Sequence, residues 1–330
     1  MAWKTRFGKC AWRIGLAIVL VMALLGALQI VSLLTARPGG GYFRSATGRD
    51  EYVARYEEAM RQFAVVPRSR DVETRLGIVR VYEWSTDETK DSVPVVLIPG
   101  RSSGVPMWAE NVESFAGKHR VIAFDALGDA GMSVQSAPIG RFEDQAVWIH
   151  DVLAQLAPDG AHIVGHSFGG ATATVYAREY PEDVRSLAVL EPVFTFSYPP
   201  LRLMSWTMVA SIPRMPRSWR EHALGKVGGT DYDADEPMAR MIDAGAAHYK
   251  AALPTPHLVS KEEAEHLTMP VYAAIASNDS LAGGAKAAER AQELIPQAEV
   301  ETWPNTTHSL PMQVAESLGE KLNNFWANSE

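Results

Sequence analysis

The sequence is short of several things. It holds one cysteine, Cys10, so no intrachain disulfide forms and no cysteine-based zinc site can be built. It holds no H-E-x-x-H pair and no G-x-x-x-x-G-K-[ST] loop, which removes the common zinc-protease and nucleotide-binding signatures. Beyond the first residues it has no dense run of lysine and arginine, and 31 basic residues stand against 39 acidic ones for a formal charge of −8. That balance excludes nucleic acid as an expected partner. No repeat of 20–50 residues is seen. What remains is a chain of 330 residues, 47% hydrophobic and 21% charged, the make-up of a globular protein rather than a disordered one.

The one long hydrophobic run is at the start. Residues 14–36 carry no charge. As a helix they would span roughly 34 Å at about 1.5 Å per residue, enough to cross a hydrocarbon core of about 30 Å. Lys4, Arg6, Lys9 and Arg13 precede the run, and Arg37, Arg44 and Arg49 follow it. The bias predicts a cytoplasmic N-terminus and an extracytoplasmic remainder. A bacterial inner-membrane protein facing the periplasm fits best. The run is longer than the 7–15-residue core of a cleaved signal, and Leu34 is a poor residue for position −3 of a cut after Ala36. Cys10 reads as a free thiol on the cytoplasmic side.

Residues 37–70 are expected to be a linker, opened by Arg37-Pro38-Gly39-Gly40-Gly41, and an amphipathic helix of about 14 residues. Tyr52, Tyr56, Met60 and Phe63 lie on one face of that helix. From about residue 71 the pattern alternates. Strands are predicted at 77–84, 93–98, 119–124, 161–164, 185–190, 270–276 and 298–303, with helices at 142–156, 168–180, 284–295 and 311–326. Apolar strands separated by helices imply an α/β fold with a mostly parallel sheet covered on both faces. Ligands then sit at the carboxyl ends of the strands. Residues 193–265 break the alternation with Pro199, Pro200, Pro213, Pro216, Pro237, Pro254 and Pro256 among apolar residues. They are too long and too apolar for a loop and predict an inserted helical lid. The core is then 71–192 and 266–330.

The chemistry follows the strands. Gly165-His166-Ser167-Phe168-Gly169 has the form G-x-S-x-G between a strand and a helix, a sharp turn that lifts the serine hydroxyl above the sheet. A nucleophilic Ser167 needs a base and a group to orient that base. The strand at 298–303 runs into Asn305-Thr306-Thr307-His308, so His308 is the expected base. The strand at 270–276 runs into Ser277-Asn278-Asp279, so Asp279 is the expected acid. Glu191, after the strand at 185–190, is the alternative. The oxyanion donors are expected to be the backbone N–H of Phe168 and that of Arg101, with Ser102 as second choice. Ser103, Trp108, Phe194 and Phe196 are candidate pocket residues. His166 reads as a packing or hydrogen-bonding residue.

These motifs resemble the α/β-hydrolase fold superfamily, in its lidded serine-esterase branch. The resemblance runs over roughly residues 71–327. It rests on the Pro99-Gly100 loop, the stretch from Asp125 to Ser133, the Ser167 turn, Tyr180-Pro181, and the Asp279 and His308 turns. Members usually carry His-Gly in place of Pro99-Gly100, and Gly128-Asp129-Ala130-Gly131 has one residue more than the usual Gly-x-Gly. Ser167 argues against the relatives with an aspartate nucleophile, the epoxide hydrolases and dehalogenases.

The resemblance implies a cofactor-free serine hydrolase. It would cleave a carboxylic ester with a hydrophobic acyl or aryl group through an acyl-enzyme, and beside a bilayer a lipid-derived ester fits. Acyl transfer, amide cleavage or carbon–carbon hydrolysis could run on the same triad. A membrane-anchored binding protein that keeps the fold, or an anchor that recruits partners through the insert, would come from another class. No metal site is expected. Asp231, Asp233 and Asp235 imitate a calcium loop, but Glu236 stands where glycine is needed and Ile242 where the bidentate glutamate belongs. The sequons Asn278-Asp279-Ser280 and Asn305-Thr306-Thr307 fall on the two candidate catalytic loops, where a glycan would crowd the site.

Overall fold

The computed structural model describes residues 39–212 and 215–329. The anchor expected at 14–36, and Cys10 with it, lies outside the described residues. Among the described residues, no helix is long and apolar enough to cross a membrane.

The N-terminal residues open with a short strand β1 (Tyr42–Phe43) and helix α1 (Ala46–Met60). Ser45 caps α1, its Oγ accepting from Gly48 N at 3.0 Å, which satisfies one of the free N–H groups of the first turn. Strands β2 (Arg68–Thr74), β3 (Gly77–Trp84) and β4 (Val95–Ile98) follow, then helix α2 (Ala109–Ala116), β5 (Val121–Phe124), β6 (Val134–Gln135), α3 (Asp144–Leu156), β7 (Ala161–His166), α4 (Phe168–Glu179) and β8 (Val184–Leu190). The insert contributes α5 (Leu201–Ala210), α6 (Arg217–Gly228), α7 (Pro237–His248) and β9 (Tyr249–Lys250), and it ends near the short helix α8 (Lys261–Ala264). The chain closes with β10 (Val271–Ala276), α9 (Ala285–Leu294), β11 (Glu299–Trp303), α10 (Leu310–Gln313) and α11 (Ala315–Ala327).

The strands of the main sheet run in the order β11-β10-β8-β7-β4-β5-β3-β2, with β6 beside β3. From β5 to β11 the neighbours are parallel; β3 pairs antiparallel with β5 and β2. The central strands β4, β5, β7 and β10 are buried along their whole length, because helices cover both faces. One apolar cluster fills each face, one around Trp148, Ile163 and Tyr176, the other around Trp108, Leu97 and Trp326.

Strand β2 begins at Arg68, inside the segment read as linker. Its sequence, RSRDVET, buries Val72 and little else, which is the composition of an exposed edge rather than of a core strand. Helix α1 is also part of the body. It packs on α7, with Tyr52 and Tyr56 buried and Glu58 ion-paired to Arg240 at 2.7 Å. Strand β1 pairs with β9 just beyond α7. The residues before β2 therefore brace the last helix of the insert.

Candidate active site

Ser167 sits at the turn between β7 and α4 with φ 56° and ψ −123°, a region that costs a non-glycine residue roughly 1–3 kcal/mol and persists where the surroundings enforce it. The enforcement is steric. A Cβ on Gly165 would overlap the carbonyl oxygen of Gly169, and a Cβ on Gly169 would overlap the carbonyls of Ile98 and Pro99. Two hydrogen bonds pin the turn, Ser167 N to Leu190 O at 3.0 Å and Val193 N to Ser167 O at 3.1 Å. The serine is thus raised above the carboxyl ends of β7 and β8, at the positive end of α4.

His308 Nε2 lies 2.9 Å from Ser167 Oγ, and its Nδ1 lies 3.1 Å from Glu191 Oε2. A carboxylate can only accept, so Nδ1 carries the proton and Nε2 is left with its lone pair towards the serine hydroxyl. Glu191 is fully buried. Its Oε1 accepts from Ala276 N and Ser280 Oγ, both at 2.7 Å, and its Oε2 from Ala282 N at 3.4 Å. Those donors fix the carboxylate in place out of water.

Asp279, the acid expected from the sequence, is not part of this relay. Its side chain is 45% exposed and pairs with Arg202 at the start of α5. The loop after β10 does reach the triad, but as a supplier of donors through Ala276, Ser280 and Ala282. The turn after β8 brings Glu191 to His308 instead.

The oxyanion side can be read by elimination. The loop Gly100–Ser103 lies against the nucleophile, since a Cβ on Gly100 would stand 3.2 Å from Ser167 Cβ. Within it, Gly100 N donates to Met107 Sδ at 3.2 Å, Ser103 N to Gly100 O at 3.2 Å and Ser102 N to Asp129 Oδ2 at 2.6 Å. The N–H of Ser102, the second choice, is therefore already used. Those of Arg101 and Phe168 have no acceptor among the described residues, and both residues border the cavity with Ser167.

His166 is buried beside the nucleophile and bonds through Nε2 to the backbone carbonyl of His308 at 2.9 Å. That carbonyl accepts, so Nε2 donates. Burial, with the neighbouring His308 ring, pushes the His166 pKa down to about 3, and the ring stays neutral at ordinary pH. Asp125 organises the loops below the site, accepting from Val105 N at 2.9 Å and Met132 N at 2.8 Å. Burial raises its pKa to about 6 against the pull of those two N–H groups.

The insert forms the roof. A cavity of about 1100 Å³ opens over Ser167 and His308, walled by Phe194, Met204, Met208, Met238 and Ile242. Ser103 and Phe194 border it as expected. Trp108 and Phe196 do not. Trp108 is fully buried in the cluster behind the sheet, and Phe196 is buried in the opposite core cluster; an aromatic residue next to a site loop can serve either the cavity or the core. The roof is tied to the base loop. Thr307 Oγ1 and Ser309 Oγ, on either side of His308, donate to the Gly228 carbonyl at the end of α6, at 2.8 and 2.9 Å. Gly229 follows with φ 72°, the left-handed residue that ends the helix, and a Cβ there would overlap Thr307.

Comparison with known proteins agrees with the fold. Carboxylesterase YbfK of Bacillus subtilis is 24% identical over 278 residues, which cover 82% of this chain and 91% of the relative. The carboxylesterase nap of the same organism is 24% identical over 294 residues, 83% of this chain and 92% of the relative. Among solved structures, naproxen esterase from Bacillus subtilis superposes with a TM-score of 0.79 at 23% identity, covering 86% of this chain and 99% of that one. The family described as alpha/beta hydrolase fold matches residues 93–313, two thirds of the sequence and every residue of the relay, and the chain belongs to that family.

Proposed function

We propose that this protein hydrolyses carboxylic esters through an acyl-enzyme on Ser167. The observation that carries the reading is the hydrogen-bonded relay Ser167–His308–Glu191 beside two N–H groups without acceptors among the described residues. The carboxylesterase names of its relatives support it. In the first step His308 Nε2 takes the hydroxyl proton and Ser167 Oγ bonds to the ester carbon. The carbonyl oxygen becomes an anion that receives the N–H groups of Phe168 and Arg101. Each such donor is worth about 10²–10³ in rate. Collapse breaks the carbon–oxygen bond, and the leaving alcohol takes the proton from His308. Water then repeats the cycle on the acyl-enzyme and releases the acid. Glu191 keeps His308 in the right tautomer and balances its charge after each proton transfer.

The cavity supports a large apolar substrate. Its volume lies above the 300–1,000 Å³ of most small-molecule sites, and its methionines adapt to flexible groups. We also retain residues 14–36 as a membrane anchor with the catalytic domain on the extracytoplasmic side; the uncharged run in the sequence supports this. Alkaline-phosphatase fusions after residue 40 test the orientation.

The test of the mechanism is fluorophosphonate labelling of the full chain in detergent, with the modified peptide located by mass spectrometry. Labelling at Ser167 that disappears in His308→Ala and falls sharply in Glu191→Gln is expected. A folded protein with neither labelling nor ester turnover would overturn the reading.

A further inference from the structure

The loop that offers Arg101 N–H to the site is not self-supporting. Ser102 holds φ 63°, a left-handed conformation that a residue with a Cβ avoids. Within the loop, the hydrogen bond Ser103 N to Gly100 O closes a turn but leaves the tilt of the intervening peptides unfixed. What fixes it comes from another part of the chain. Asp129 is 5% exposed, and its Oδ2 accepts from Ser102 N at 2.6 Å. Its Oδ1 accepts from Ala130 N at 2.8 Å, so the carboxylate is itself held in orientation at both oxygens. A charge-assisted bond of this length is among the stronger restraints available to a loop.

We propose that Asp129 is the positioning residue of the oxyanion loop, holding Ser102 N–H so that the preceding N–H, that of Arg101, points into the cavity towards Ser167. Asp129 touches no reacting atom in this account. It takes Ser102 N–H out of use and orients Arg101 N–H. Burial holds the carboxyl pKa above its ordinary value, against the pull of the Arg101 charge and the N–H groups of Ser102 and Ala130. The inference rests on the esterase reading, because an oxyanion donor matters only if an oxyanion forms.

Asp129→Asn and Asp129→Ala in the full chain test it. The measurements are kcat and KM for p-nitrophenyl butyrate, the inhibition constant of an alkyl boronic acid, and circular dichroism to check folding. The boronic acid forms a tetrahedral adduct on Ser167 that resembles the transition state and loses affinity with it. Asp129→Ala is expected to lower kcat by about 10–10², with KM changed less than about threefold. The boronic acid should weaken by the same factor as kcat/KM. Asp129→Asn keeps the shape and one acceptor, so it should fall between wild type and Ala; it carries the test if the Ala variant does not fold. An active wild type with unchanged kcat in the Asn and Ala variants would overturn the inference alone, as would a rise in KM with boronic acid affinity unchanged. A wild type without turnover on any ester would overturn the esterase reading and this inference with it.

Discussion

Glu191 and Asp279 leave the ends of adjacent strands, β8 and β10, and meet opposite fates. Both have positive φ, 49° and 39°, and both lie between the nucleophile and the base in chain order. Glu191 is fully buried, receives three donors besides His308, and faces the imidazole. Asp279 is half exposed and joined to an arginine that is itself 62% exposed. The first arrangement holds a charge in a fixed place away from water, where it acts strongly on its neighbour. The second is a surface pair of the kind that contributes about 0–1 kcal/mol. A strand end brings a carboxylate near the site, but burial and matched donors make it able to serve a histidine.

The sharpest way to break the contrast is to neutralise each acid in turn. Glu191→Gln should lower kcat by about 10³–10⁴, the scale seen when a triad carboxylate becomes an amide, and Asp279→Asn by less than about threefold; steady-state ester hydrolysis decides. Equal losses would mean that the loop after β10 carries the acid function after all. Next in size is Ser280→Ala, which removes one donor from Glu191 and leaves the others. A hydrogen bond to a charged group is worth about 1.5–3 kcal/mol, so kcat should fall by about 10–10², with KM nearly unchanged.

A pH experiment bears on the support of the base. His166 titrates at about 3 in the folded protein against about 6.5 in an unfolded chain. Between those values the unfolded state binds a proton that the folded state refuses, so this residue lowers stability as pH falls from about 6.5 to 3. His166→Asn lacks that penalty. Urea unfolding should show the variant less stable at pH 7.5, with the gap to wild type narrowing steadily down to pH 4. Asp125, raised to about 6, acts in the opposite direction over part of this range, but it is common to both proteins and cancels in the difference. The smallest effect is on Asp279 as a stabilising residue: Asp279→Asn should change the unfolding free energy by no more than about 1 kcal/mol, less in high salt.

Much of this arrangement is legible in the residues, for physical reasons. Strands β4 and β10 show as continuous apolar runs because both of their faces are covered. The turn at Ser167 shows because two close backbone approaches demand glycine at 165 and 169. Strand β2 does not show, since an edge with one buried valine has no apolar pattern. The acid does not show either: Glu191 and Asp279 both follow a strand and both satisfy the order serine–acid–histidine. Distinguishing them required knowing that Ser280, Ala276 and Ala282 turn their donors towards β8. The use of Ser102 N–H by Asp129 depends on two loops far apart in sequence, and no local pattern announces it.

The hydroxyls of Thr307 and Ser309 on the Gly228 carbonyl have a consequence for traffic through the site. At α5 the roof is held by a solvent-exposed ion pair that salt weakens. At α6 it is held by two short bonds that flank the general base. An opening that breaks only the α5 ion pair would leave the two hydroxyls beside His308 on the Gly228 carbonyl. A displacement starting at α6 strips both partners from the histidine turn. An opening of the first kind would keep the catalyst assembled, whereas one of the second kind would leave the base to settle again before reaction.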